Sequence, residues 1–178
     1  TQLVRPVNLE GAWSANSFLT LSRPATAFKS VLNLSGGLIY SRTPGLVSGS
    51  KTASNTWAIT GGVVVASNIS ENLDFTLSYN GTVTLSRNTL ATGSSGDYYT
   101  HTAGLKLNVI AWNGVTLRQE FTNALTSGVT QGYDQNLALW NSSVGKKFLN
   151  DMRGELRLTG TDVLAQNKST RRTVTETY

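Results

Sequence analysis

The chain has 178 residues, 39% of them hydrophobic and 14% charged, with a formal net charge of +5 and no cysteine. Apolar content lies below the roughly 45–50% of an ordinary globular domain, on a count that includes glycine, and charge lies below the usual ~25%, which argues against both a large dry core and a fully solvated surface. Without cysteine there is no disulfide framework and no thiolate metal site; no run approaches the ~18–20 apolar residues of a membrane-spanning helix; and the basic residues are scattered, so no nucleic-acid partner is expected.

The chain opens on Thr1-Gln2-Leu3-Val4-Arg5-Pro6, with no initiator Met and no apolar h-region, so a mature piece or a fragment is expected, without a signal peptide. From Trp13 onward, alternation at period two divides it into about eight strands: Trp13 to Ser22, Phe28 to Ser41, Thr56 to Ser67, Leu73 to Ser86, Tyr98 to Ala111, Val115 to Leu125, Gln135 to Phe148 and Glu155 to Leu164. The clearest is the fourth. Leu73, Phe75, Leu77, Tyr79, Val83 and Leu85 share one face, and Asp74, Thr76, Ser78, Asn80, Thr82 and Thr84 share the other. This run is about twice the usual strand length of roughly 5 or 6 residues. Its polar face consists mostly of hydroxyls and amides, a composition suited to a transmembrane barrel with a lipid face and a polar interior.

The fifth strand repeats the division, with Ala103, Leu105, Leu107, Val109 and Ala111 against Thr102, Gly104, Lys106 and Asn108. In the sixth, Val115, Leu117, Phe121 and Leu125 oppose Thr116, Arg118, Glu120 and Thr122, and the eighth adds Glu155, Arg157, Thr159 and Thr161 to the polar side. Trp140, inside the seventh, is expected on the lipid side beside Ala138 and Val144. The candidate lipid-facing residues are therefore Leu73, Phe75, Leu77, Leu105, Leu107, Leu117 and Phe121. The candidate lumen-facing residues are Lys106, Arg118, Glu120, Glu155 and Arg157, expected to form salt-bridge ladders that brace the wall.

Links between strands alternate in length. Short turns are predicted at Arg23 to Thr26, Asn68 to Asn72, Trp112 to Gly114 and Asn150 to Gly154; longer links rich in Gly, Ser and Thr are predicted at Arg42 to Asn55, Arg87 to Asp97 and Thr126 to Asp134. Outer-membrane barrels place short turns on the periplasmic side and long loops outside. On that orientation the region from Ala165 to Tyr178 lies outside the membrane and holds no complete returning strand. Trp13, Tyr40, Trp57, Tyr98, Tyr99 and Trp112 fall near strand ends, where amphipathic rings rest at headgroup level.

Catalytic signals are thin. His101 is the single histidine, the carboxylate pairs Glu71/Asp74 and Asp151/Glu155 sit at turns or strand starts without a motif context, and no glycine-rich stretch matches a phosphate loop. Neither an enzyme nor a cofactor is expected. Lys168, Arg171 and Arg172, the densest basic group, read as a solvated loop.

Several phrases carry a resemblance. They are Lys29-Ser30 leading to Tyr40-Ser41-Arg42-Thr43-Pro44-Gly45, then Asn68-Ile69-Ser70-Glu71-Asn72-Leu73-Asp74-Phe75-Thr76-Leu77-Ser78-Tyr79. Leu139-Trp140-Asn141, Gly145-Lys146-Lys147-Phe148, Arg153-Gly154-Glu155-Leu156, Asp162 to Asn167 and Arg172 to Tyr178 continue it. From about Phe18 onward the chain resembles the C-terminal part of Bacteroidetes outer membrane β-barrel proteins, relatives of TonB-dependent receptors. The resemblance implies a slice of a larger receptor-like barrel in which a plug domain fills the lumen. It also implies that a carboxypeptidase-regulatory-like domain often precedes the plug and that an aromatic-rich last strand follows the region matching Tyr178. None of these is in this sequence, so residues 1–178 are expected to be one barrel segment.

The expectation is thus an all-β, antiparallel up-and-down transmembrane β-barrel segment in the outer membrane of a Gram-negative bacterium, serving transport across that membrane or assembly at it. Its expected partners are outer-membrane lipid or lipopolysaccharide, the remainder of the barrel and plug, and a surface lipoprotein or other outer-membrane subunits. Two alternatives stand beside it: a small closed eight-stranded surface-binding or structural barrel, whose interior side chains would fill, and a soluble ligand-binding barrel. Periodicity does not separate inside from outside, because exchanging the two faces leaves the pattern unchanged.

Overall fold

A computed structural model of the chain describes residues 8–90, 96–111, 113–128, 134–149 and 153–167, apart from the side chains of Phe28 and Asn68. The described residues form one antiparallel sheet of eight strands in simple chain order. The strands are β1 (Trp13–Ala25), β2 (Ser30–Val47), β3 (Ser50–Ser70), β4 (Leu73–Asn88), β5 (Tyr98–Ala111), β6 (Val115–Ser127), β7 (Gln135–Phe148) and β8 (Gly154–Gly160). A single 3-10 turn, Thr26–Phe28, joins β1 to β2. Period-two alternation of Val, Ile, Leu, Thr and aromatic residues explains the strands, since such side chains suit a pleated surface.

All eight expected strands are present, with altered ends. The largest correction concerns Arg42 to Asn55, which is not a loop. β2 and β3 stay in register from Arg42↔Asn55 to Val47↔Ser50, and the chain reverses through Ser48 and Gly49 alone, at φ +50° and +78°. Two successive positive φ values mark a type I′ hairpin turn, whose twist matches that of paired strands. Pro44 and Gly45 argued against a strand there. Pro44 is accommodated because β1 accompanies β2 only as far as Arg42, so the missing N–H falls on a stretch beyond that ladder. β8 also stops earlier than expected, at Gly160, and the chain turns through Asp162, whose carboxylate accepts from the N–H groups of Gln166 (3.1 Å) and Asn167 (3.0 Å).

The sheet is not closed: among the described residues β1 pairs only with β2, and β8 only with β7. Nor do the described residues form a second layer. Ala53 is the one buried hydrophobic residue among the described residues, whereas Leu77 on the central β4 is 47% exposed and Leu158 on β8 81%.

Candidate functional site

Register fixes which side chains share a face, since directly opposed residues in antiparallel strands project to the same side. One such row runs Leu32, Val65, Leu77, Leu105, Phe121 and Trp140 from β2 to β7. The next row toward the β3–β4 turn includes Phe75 and Leu107, and the one beyond it runs Leu73, Val109, Leu117, Val144 and Leu158. Toward the other end come Leu21, Leu34, Val63 and Tyr79, then Leu38, Ile59, Val83 and Tyr99. All seven candidates Leu73, Phe75, Leu77, Leu105, Leu107, Leu117 and Phe121 lie on this continuous apolar face, and so does Trp140.

The opposite face carries a hydroxyl row, Thr60, Thr82, Thr100 and Thr126, and all five charged candidates. Thr60 and Thr82 are hydrogen-bonded at 2.9 Å. Lys106 and Glu120 stand directly opposite on β5 and β6 and form an ion pair at 2.9 Å. Glu155 is the centre of a second group: Arg157 donates to it at 2.7 Å, the Thr116 hydroxyl at 3.0 Å, and Arg118 lies 3.9 Å away. Arg118 and Glu120, adjacent on one strand face, thus belong to separate ion pairs. Asn108 donates to Asp74 at 2.7 Å beside Arg118. Two open hollows, about 380 and 340 Å³, flank the Arg118 side chain. Phe18, Val31, Ile39, Leu137 and Leu139 also lie on this side, so it is polar mainly over β3 to β6.

No protein-family model, curated protein or solved structure matches the chain. Its chemistry therefore rests on its own geometry.

Of the six aromatics read as interfacial, Trp13, Tyr40 and Trp57 touch in sequence across β1, β2 and β3, with ring centroids 4.6 and 5.1 Å apart and ring planes tilted by 49° and 50°. Tyr40 donates its hydroxyl to Asn55 at 2.8 Å. Tyr99 is on the same face, its hydroxyl hydrogen-bonded to that of Tyr79. Tyr98 is not, because its neighbour in sequence already takes that side; it opposes buried Thr84 on the polar face. Trp112 lies outside the described residues, as do Lys168, Arg171 and Arg172.

The apolar face also holds polar groups, of which sequence reasoning weighed only His101, and that as a catalytic candidate. His101 Nε2 is 3.0 Å from Asn123 Oδ1, and Asn123 donates to Asn136 at 2.7 Å and to the Leu137 carbonyl at 3.2 Å. Gln119 accepts from the Trp140 indole at 2.8 Å and donates to Ser142 at 2.8 Å. Each group is satisfied by a cross-strand partner, which is what polar side chains on an apolar surface require. Parity held the signal: Gln119 and Asn123 alternate in phase with Leu117 and Phe121.

At the end of β4, Arg87 grips Asp97, which precedes β5, with both guanidinium arms, the second at 2.9 Å, and Ser86 N–H donates to the same carboxylate at 3.2 Å. The Arg87 hydrogen bond, helped by the Ser86 amide and the nearby positive charge, holds the Asp97 carboxyl below its ordinary range.

Proposed function

We propose that this chain forms part of the wall of a TonB-dependent-receptor-like β-barrel in the outer membrane of a Gram-negative bacterium. Its apolar face meets lipid and its polar face lines the lumen. In that barrel the chain serves transport across the membrane, or assembly at its surface, together with the remaining strands, a plug and associated outer-membrane subunits. The observation that carries the reading is a sheet whose apolar face runs over seven strands and, among the described residues, has no second layer upon it.

Dimensions support it. The twelve steps from Leu73 to Leu85 cover about 41 Å at ~3.4 Å per residue, and a strand tilt of about 45° turns that into a rise of about 29 Å, close to the ~25 Å apolar band of outer-membrane barrels. The row of Trp13, Tyr40 and Trp57 sits at one margin of the band, where interfacial rings belong. Ion pairs and a threonine row on the other face are suited to a hydrated lumen.

The open edges favour a wall segment over a closed eight-stranded barrel. An unpaired edge is untenable in hydrocarbon, where each exposed backbone N–H or C=O costs several kcal/mol. β1 and β8 therefore require further strands.

Membrane fractionation tests the proposal. The full-length protein should remain in the outer-membrane pellet after carbonate washing and enter solution only with detergent; recovery in the soluble fraction would overturn it.

A further inference from the structure

The apolar face has a hollow at the β1–β2 end that its described side chains do not fill. At the end where β1 turns into β2, the row Ala25, Ser30, Ser67 and Phe75 puts small side chains on three adjacent strands, beside the bulkier row of Leu32, Val65 and Leu77. The 3-10 turn carries Ala27 and Lys29 to the rim. The result is a concavity of about 530 Å³, lined by Ala25, Ala27, Leu32, Val65, Ile69 and Phe75 together with Ser30 and the Lys29 chain. The other hollows described above, on either side of Arg118, are lined chiefly by polar groups.

Lys29 is fixed at this rim. Its backbone is left-handed at φ +46°, closed by its own N–H donating to the Thr26 carbonyl at 3.1 Å. Its Nζ reaches across to the end of β3 and donates to the Ile69 carbonyl at 3.0 Å. An ammonium has three N–H donors, so this contact uses one and leaves two directed outward. The pattern is an apolar slot with a cation at its mouth. On the same face and at the same end, Lys146 is likewise held by a turn carbonyl, that of Asn113 at 2.8 Å, but it does not line this slot.

We infer that the slot takes one acyl chain of an anionic phospholipid, with the lipid phosphate bound by Lys29 Nζ. The inference rests on the membrane reading above, which places this face in lipid. An empty slot of this size would forfeit the dispersion contacts of its lining, and its volume is within the ~300–1,000 Å³ of small-molecule sites. A net anionic headgroup gains from Lys29, whereas a zwitterionic one brings its own cation to the same place.

Native mass spectrometry of the full-length protein, extracted in detergent from vesicles of defined lipid, provides the test. With phosphatidylglycerol and phosphatidylethanolamine of identical chains supplied equally, one phosphatidylglycerol should be retained, in about five-fold preference, the scale of one lysine–anionic-lipid contact. Lys29→Gln should abolish the preference, Ala27→Trp should abolish retention of both lipids, and Lys146→Gln should change neither. Circular dichroism confirms that each variant keeps its strands. Equal retention of both lipids, or an unaltered preference in Lys29→Gln, would overturn the inference. A wild-type protein that inserts into vesicles but retains no lipid refutes the slot alone; one that does not insert refutes the membrane reading and the slot with it.

Discussion

Thr116 on β6 and Glu155 on β8 are hydrogen-bonded at 3.0 Å although a whole strand, β7, runs between them. The bond passes over Gly145, the register partner of both Thr116 and Arg157. A Cβ at Gly145 would lie 2.5 Å from Thr116 Oγ1, 2.9 Å from Glu155 Oε1 and 3.1 Å from the Leu156 carbonyl oxygen. Glycine is what allows the two side chains to meet across the strand, and it draws Arg157 and Arg118 into the same group.

Gly145→Ala should therefore destabilise the protein by about 1–3 kcal/mol, the usual cost of overpacking. Adding Thr116→Ala removes the nearest clashing atom, so the double variant should regain part of the loss. Urea unfolding of the two single variants and the double variant measures this non-additivity; strictly additive losses would mean that the clash is not with Thr116.

Leu77 lies one side-chain step from the middle of the Leu73 to Leu85 run, opposite Val65 and Leu105. Leu77→Arg should cost roughly 2–4 kcal/mol, as expected for a cation near the bilayer midplane, and Thr76→Arg on the other face much less. Folding titrations in lipid vesicles give both numbers. Equal costs would show that the lipid and lumen faces are wrongly assigned.

Lys106 and Glu120 are opposed across β5 and β6, yet their side chains are 67% and 46% exposed. A double-mutant cycle to Ala should give a coupling of only about 0.2–1 kcal/mol, falling as salt is raised.

Asn123 on the apolar face serves His101, Asn136 and the Leu137 carbonyl at once. Asn123→Leu should cost about 1–3 kcal/mol by stranding His101, whereas Asn123→Leu with His101→Leu should recover part of it, because the imidazole is then no longer left unsatisfied while Asn136 and the Leu137 carbonyl still lack their donor. Thermal denaturation in detergent reports the difference.

Asp97 titrates below the ordinary carboxylate value of about 3.9 because Arg87 holds its charged form. A folded-state pKa below the unfolded one means a contribution that is whole above the unfolded value and is lost as pH falls through the folded one. Protection of the Ser86 amide, which donates to Asp97, should accordingly be constant near neutrality and fall in acid below about pH 4. In Asp97→Asn the acid-dependent loss should disappear, as hydrogen exchange across that range would record.

Alternation alone located all eight strands and sorted every charged and apolar candidate to its side, because a two-residue period ties side-chain direction to position in the chain whatever the strand packs against. Links were harder to read. Arg42 to Asn55 looks like a loop because Pro44 and Gly45 are poor strand residues, and only the tertiary ladder reveals that β2 has outrun β1 there. The same holds for Lys29, Gly145 and Asn123, whose significance arises from residues 22–40 positions or one whole strand away. Local pattern determined the strands and their two faces. Register decided which side chains meet, and the ladder of strand pairs showed the sheet open at both edges among the described residues, since pairing between distant strands is not encoded in any local period.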